Sequence, residues 1–123
     1  MRTFRQQHGQ AGEALARAYL ASAGYSIVAT NVRFPVGELD IVAWDGKALC
    51  FVEVRSARTA RFGPAAASVT ALKQRHLIRA AQWYLRRLRR QPDAVRFDVV
   101  AIDGDPAVGE PTIRLIRGAF EVG

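Results

Sequence analysis

The chain has 123 residues, half of them hydrophobic and 24% charged, the composition of one soluble globular domain spanning 1–123 with material for a real core. The single Cys50 excludes an intrachain disulfide or a Cys-rich zinc site, and no apolar run reaches the roughly 18–20 residues of a membrane span. The N-terminus MRTFRQQHGQAGE lacks the apolar stretch of a secretion signal, so a reduced, cytoplasmic protein is expected. The net charge of +7 is unevenly placed. Between Glu53 and Asp93 there is no acid and there are ten cations (Arg55, Arg58, Arg61, Lys73, Arg75, Arg79, Arg86, Arg87, Arg89 and Arg90), while the rest of the chain carries eight cations against eleven acids. Such asymmetry points to a polyanionic partner, nucleic acid first.

Gln10 to Ala23 reads as a helix with Leu15, Ala18, Tyr19 and Ser22 on one stripe and Gly24 as its C-terminal stop. Tyr25 to Arg33 alternates as a strand, and Phe34-Pro35-Val36-Gly37 is a turn or loop. Glu38–Trp44 and Lys47–Arg55 are two strands joined by Asp45-Gly46, a strong hairpin signal. Residues 56–67 read as a loop. Thr70 to Arg90 is a long helix that buries Leu72, Leu77, Ala80, Ala81, Tyr84, Leu85 and Leu88, with Pro92 beyond its end. Val95–Ile102 and Thr112–Arg117 are the last strands. A helix between two strands reads as a crossover, so the strands it joins should be parallel.

The hairpin carries the chemistry. If Asp45-Gly46 forms the turn, Trp44 faces Lys47, Val42 faces Leu49, Asp40 faces Phe51 and Glu38 faces Glu53. One face then holds Leu39, Ile41, Ala43, Ala48, Cys50, Val52 and Val54, all apolar, and belongs to the core. The other gathers Glu38, Asp40 and Glu53, with Asp40 and Glu53 diagonal and Glu38 opposite Glu53. Like charges placed so closely need a partner. A divalent cation such as Mg²⁺ or Mn²⁺, which favours hard oxygen ligands, is one. A salt bridge from Arg55, two residues along the same face, is the other.

Gly37-Glu38-Leu39-Asp40-Ile41-Val42 followed by Phe51-Val52-Glu53-Val54-Arg55 resembles the PD-(D/E)XK nuclease core, which has an acid on one hairpin strand and acid-X-Lys on the next. With Gly12-Glu13-Ala14, Gly24-Tyr25, Asn31-Val32-Arg33, Phe62-Gly63, Lys73-Gln74-Arg75 and Arg96-Phe97-Asp98-Val99-Val100, the chain from about Gly9 to Ile102 is similar to the YraN family of predicted endonucleases, themselves similar to archaeal Holliday-junction resolvases. The resemblance implies an α/β restriction-endonuclease-like fold, a mixed central β-sheet flanked by α-helices. It implies metal-dependent hydrolysis of branched or structured DNA. Asp40, Glu53 and the Val54 carbonyl would hold Mg²⁺ or Mn²⁺, with Glu13 nearby from the first helix. A homodimer follows by the same analogy, since cutting two strands needs two sites. The sequence departs from the pattern at Arg55, where the family pattern has Lys. Arginine stays protonated and cannot be a base, but it can steady a hydroxide or the phosphate in the transition state. Lys73 is the candidate for a lysine that has migrated to the following helix. The competing reading is a nuclease-fold module that binds nucleic acid without turnover.

Arg58 and Arg61 in the loop, and Lys73, Arg75 and Arg79 on the helix, are the expected phosphate contacts. Asp98 is expected to pair with Arg96 or a helix arginine in a structural role. His8 and His76 are read as ordinary surface or partly buried residues, and Trp83 and Tyr84 as core. No P-loop, GxGxxG, HExxH or GxSxG pattern supports other hydrolase or dinucleotide chemistry.

Overall fold

The computed structural model describes residues 4–59, 63–105 and 107–121, residues 4–11 by their backbone alone. It contains α1 (Phe4–Ser22), β1 (Ser26–Phe34), β2 (Gly37–Asp45), β3 (Ala48–Ala57), a 3₁₀ turn (Ala65–Ser68), α2 (Ala71–Arg86), β4 (Ala94–Asp103) and β5 (Thr112–Phe120). The strands lie side by side in chain order, β1-β2-β3-β4-β5. Only the β3–β4 pair, bridged by α2, is parallel, as a helical crossover requires. This is the α/β architecture expected, a mixed sheet between two helices and consistent with a nuclease-like fold.

Local chemistry accounts for the ends. Gly24 adopts φ 93° and closes α1 as the sequence requires: the Tyr25 amide donates to the Leu20 carbonyl at 3.0 Å. The helix begins at Phe4 rather than at Gln10, because Arg5, Gln6 and Gln7 are good helix formers with no breaker among them. Thr70 caps α2, its hydroxyl accepting from the Lys73 amide at 3.2 Å. That helix stops at Arg86, short of the expected Arg90. The Arg87 and Leu88 amides turn to the carbonyls three residues back, and the Gln91 side chain donates to the Leu85 carbonyl at 2.8 Å, so the last turn tightens and ends.

The hairpin register differs from expectation by two residues. Asp45 pairs with Ala48, Trp44 with Leu49, Val42 with Phe51 and Ile41 with Val52. The turn is therefore Gly46-Lys47, not Asp45-Gly46. Gly46 has φ 60° and Lys47 does not have positive φ, the signature of a type II′ turn with glycine in its first loop position. A shift of two does not by itself move a side chain to the other face. It slides Asp40 along to the level of Glu53, and Glu38 away from it.

Both faces of the hairpin are buried. Ala16 and Leu20 of α1 cover Ile41, Ala43, Cys50, Val52, Val100 and Ile102. On the other side Ala80 and Ala81 of α2 pack with Val42, Leu49, Phe51 and Phe97. Tyr84 meets Phe51 edge-on at 5.8 Å and is core, as expected. Leu72, assigned to the core from the sequence, is 55% exposed; it starts the helix beyond the edge of that cluster. Leu39 is a further correction: it packs with Phe34 and Val42 on the α2 side instead of with Ile41. The pleat is disturbed beside it, where Asn31 takes φ 52° between the pairs Thr30↔Ile41 and Val32↔Leu39.

Helix α2 crosses β2 so closely that a Cβ on Gly37 would lie 2.9 Å from the His76 carbonyl oxygen. Backbone cannot rotate away as a side chain would. Gly37→Ala is therefore expected to cost about 1–3 kcal/mol, the usual range for overpacking, measured by urea denaturation.

Candidate functional site

Paired positions between β2 and β3 end at Ile41↔Val52. Beyond them β2 stays with β1 to Phe34↔Gly37, and β3 stays with β4 to Ala57↔Asp103. The two strands thus part, and Asp40 and Glu53 stand at the opening of the fork. Asp40 Oδ2 accepts the Val54 amide at 2.9 Å, which fixes the carboxylate across the gap. Glu53 is only 3% exposed.

Four other elements close around this pair. From α2, Lys73 Nζ lies 3.6 Å from Glu53 Oε1; Arg55 Nη1 lies 3.4 Å from the same oxygen. Arg55 is held in turn by the 3₁₀ turn, its Nε donating to Ser68 Oγ at 2.7 Å. From α1, Glu13 accepts from Asn31 Nδ2 of β1 at 3.0 Å, and its charge contributes to raising the Asp40 pKa. Helix and strand approach closely here because residue 12 is glycine: a Cβ would stand 2.9 Å from Ser56 Oγ.

Both cations reach Glu53 Oε1. Its other oxygen, Oε2, is buried with no hydrogen-bond partner among the described residues. Burial and then the Asp40 charge push the Glu53 carboxyl up to about 7. Asp40 is raised as well, by burial first, against the lowering effect of the Val54 amide. Asp98 is an instructive contrast, since it is fully buried too. Burial alone would raise it, yet Arg96, the Gly118 amide and the Tyr25 hydroxyl donate to it at 2.7–2.9 Å and hold it below the usual carboxylate range. Asp98 is a satisfied structural acid, as the sequence suggested. Glu53 keeps an unsatisfied oxygen, and buried polar atoms without partners are rare outside functional places.

That orphaned oxygen and the facing Asp40 fit a hard divalent cation. The expected third acid is not there. Glu38 instead pairs with Arg33 at 3.6 Å on the β1 side, a consequence of the register shift. Among the described residues no group of three or more His, Cys, Asp and Glu side chains could hold a metal. A cation here would rest on Asp40 and Glu53, with backbone, water or ligand oxygens completing its shell.

The fork brings together Glu13, Asp40, Glu53, Val54, Arg55 and Lys73. Arg58 lies apart, paired with Asp105 at 2.9 Å. Arg75 and Arg79 lie exposed on α2, and Arg61 falls outside the described residues. Sequence reasoning gave Asn31 no role. Lys73 was readable, since it shares the phase of Leu77, Ala80 and Tyr84 (i, i+4, i+7, i+11) and so lies on the stripe that faces the sheet.

The raised Glu53 carboxyl gives a pH signature. The folded protein binds its proton more tightly than the unfolded chain, so this group's stabilisation is full below its ordinary pKa and is lost as pH rises through about 7. Thermal melts of metal-free protein should show Tm falling between about pH 5 and about pH 8. In Glu53→Gln, which cannot ionise, that fall should flatten.

An α/β chain whose strand fork holds a buried Glu53 and a half-buried Asp40, both raised, with two attendant cations has the makings of a functional site. The chain belongs to uncharacterised protein family UPF0102, whose model matches residues 12–102. It is similar to UPF0102 proteins from Symbiobacterium thermophilum (48% identical, covering 91% of this chain and 94% of the relative), Desulfosudis oleivorans (44%, covering 95% and 92%) and Xanthomonas campestris pv. campestris (48%, covering 99% and 98%). No described helix is long and apolar enough to cross a membrane.

Proposed function

We propose that the protein is a metal-dependent endonuclease acting on structured or branched DNA. The observation that carries this reading is the buried Glu53 Oε2, without a partner and level with Asp40 in the strand fork. Bound Mg²⁺ or Mn²⁺ would polarise the scissile phosphate and lower the pKa of the attacking water. Asp40, Glu53 and the Val54 carbonyl would be its protein ligands. Glu13, held by Asn31, would face the fork from α1. Arg55 would steady negative charge on the phosphate, since a guanidinium does not give up its proton. Lys73 supplies the amine that Arg55 cannot, and its position 3.6 Å from Glu53 favours turnover over the reading as an inactive binding module. The exposed arginines of α2 would hold the DNA backbone, with shape counting for more than base sequence.

The test is single-turnover incubation of purified protein with branched, flapped and plain duplex DNA in Mg²⁺ or Mn²⁺. Divalent-dependent cleavage of a structured substrate is expected, and Lys73→Ala should slow it. Binding without cleavage across the panel would favour the non-catalytic module.

A further inference from the structure

Trp83 is not the core residue its sequence position suggests. It is 38% exposed, while Phe34, against which it leans at 5.8 Å and 54°, is 8% exposed. The Arg87 guanidinium also lies over Phe34, 4.6 Å from the ring centroid. Trp83 shares a stripe of α2 with Arg79 and Arg86 (i, i+4, i+7), both exposed, and Arg75 continues it toward Lys73 and the fork. No acid lies anywhere on this helix. Glu38, near by on β2, is paired with Arg33.

An exposed indole set among cations, on the helix that also carries Lys73, has the two parts of a single-strand site: charge that follows the backbone and an aromatic face that takes a base. We infer that Trp83, flanked by Phe34, Arg79, Arg86 and Arg87, is a stacking subsite for an unpaired nucleotide of a DNA strand running along α2 from the fork. This deepens the proposed nuclease reading and rests on it. In a duplex each base face is already covered, so Trp83 could stack only by prising a step open, at a few kcal/mol. An unpaired base offers its face without that cost. Trp83 lies ten residues beyond Lys73, an axial rise of about 15 Å at ~1.5 Å per residue. At ~3.4 Å per nucleotide this is about four B-form nucleotides, and fewer in a stretched single strand. The subsite therefore selects junction arms or flaps that are unpaired within a few nucleotides of the fork.

The experiment uses full-length protein, without divalent metal, and fluorescence anisotropy of labelled oligothymidine against a blunt duplex of equal length. Trp83→Ala should weaken single-strand binding about 5- to 100-fold, the equivalent of one stacked base, and change duplex binding less than about twofold. Trp83→Phe should recover most of the loss. Because Trp83 packs on Phe34, a second measurement guards against misfolding. In Trp44→Phe, where Trp83 is the sole tryptophan, oligothymidine should quench its emission and duplex should not. Equal losses on both ligands, or unquenched emission at saturation, overturn the subsite while leaving the nuclease reading standing. Cleavage failure with selective single-strand quenching does the reverse. Absence of any DNA binding at low salt overturns both.

Discussion

Asp40→Ala and Glu53→Ala are each expected to abolish Mg²⁺-dependent cleavage, by more than about 10²-fold, since even the outer partners of a metal's ligands are worth 10–100-fold. The same substitutions should not weaken the fold. Burial raises both carboxyls, and the Asp40 charge raises Glu53 further, so the fold does not favour the ionised form of either, and removing Asp40 relieves Glu53. Tm of metal-free Asp40→Ala at about pH 8 should hold or rise, because Glu53 then ionises against less repulsion. DNA binding without metal should hold or improve, as a negative charge beside the phosphate is lost. Loss of cleavage with retained Tm and binding marks a functional acid, a site that accepts poor stability for chemistry. Loss of all three would mark Asp40 or Glu53 as structural. Asp98 is the control: fully buried and saturated with donors, it should behave in that second way when replaced.

Much of this site was readable from the sequence because strand patterns carry parity. Whatever the turn, Asp40 and Glu53 fall on one face of the hairpin, and Val52 and Val54 on the other. Parity does not specify register. Asp-Gly satisfies a type I′ turn and Gly-Lys a type II′ turn, and both leave the apolar faces intact; only packing against β1 and β4 separates them. That ambiguity moved Glu38 into the expected cluster and set Asp40 diagonal to Glu53. The fork itself has no local signal, since it arises where β2 and β3 each keep a different outer partner. Asn31 is similar: asparagine tolerates the left-handed region, but nothing local says that its side chain meets Glu13. Trp83 is a departure on α2, judged by residue type as buried, whereas Lys73, named from the sequence as a candidate for a migrated lysine, does reach Glu53. Helical phase relative to Leu77 and Ala80 places Lys73 over the sheet and Trp83 toward solvent.

Nucleic-acid affinity should fall roughly 10²–10³-fold between 50 and 200 mM salt, as released counterions are set against about five phosphate contacts. The structure sorts the ten cations of the acid-free segment. Arg55 and Lys73 attend Glu53, Arg58 pairs with Asp105, and Arg61 lies outside the described residues. Arg75, Arg79, Arg86, Arg87, Arg89 and Arg90 are exposed. Five contacts drawn from these six give a slope of log K on log salt of about −4.5, at ~0.9 per phosphate. Arg75→Ala or Arg79→Ala should lower that slope by about one and weaken binding evenly across sequences. Arg58→Ala should change it less, because Arg58 must leave Asp105 to reach a phosphate and the exchange nearly cancels. Anisotropy titrations over a salt series measure all three. A slope near zero for the wild type would remove nucleic acid as the partner. A slope that Arg58→Ala lowers as much as Arg75→Ala would move the DNA path from α2 to the loop after β3.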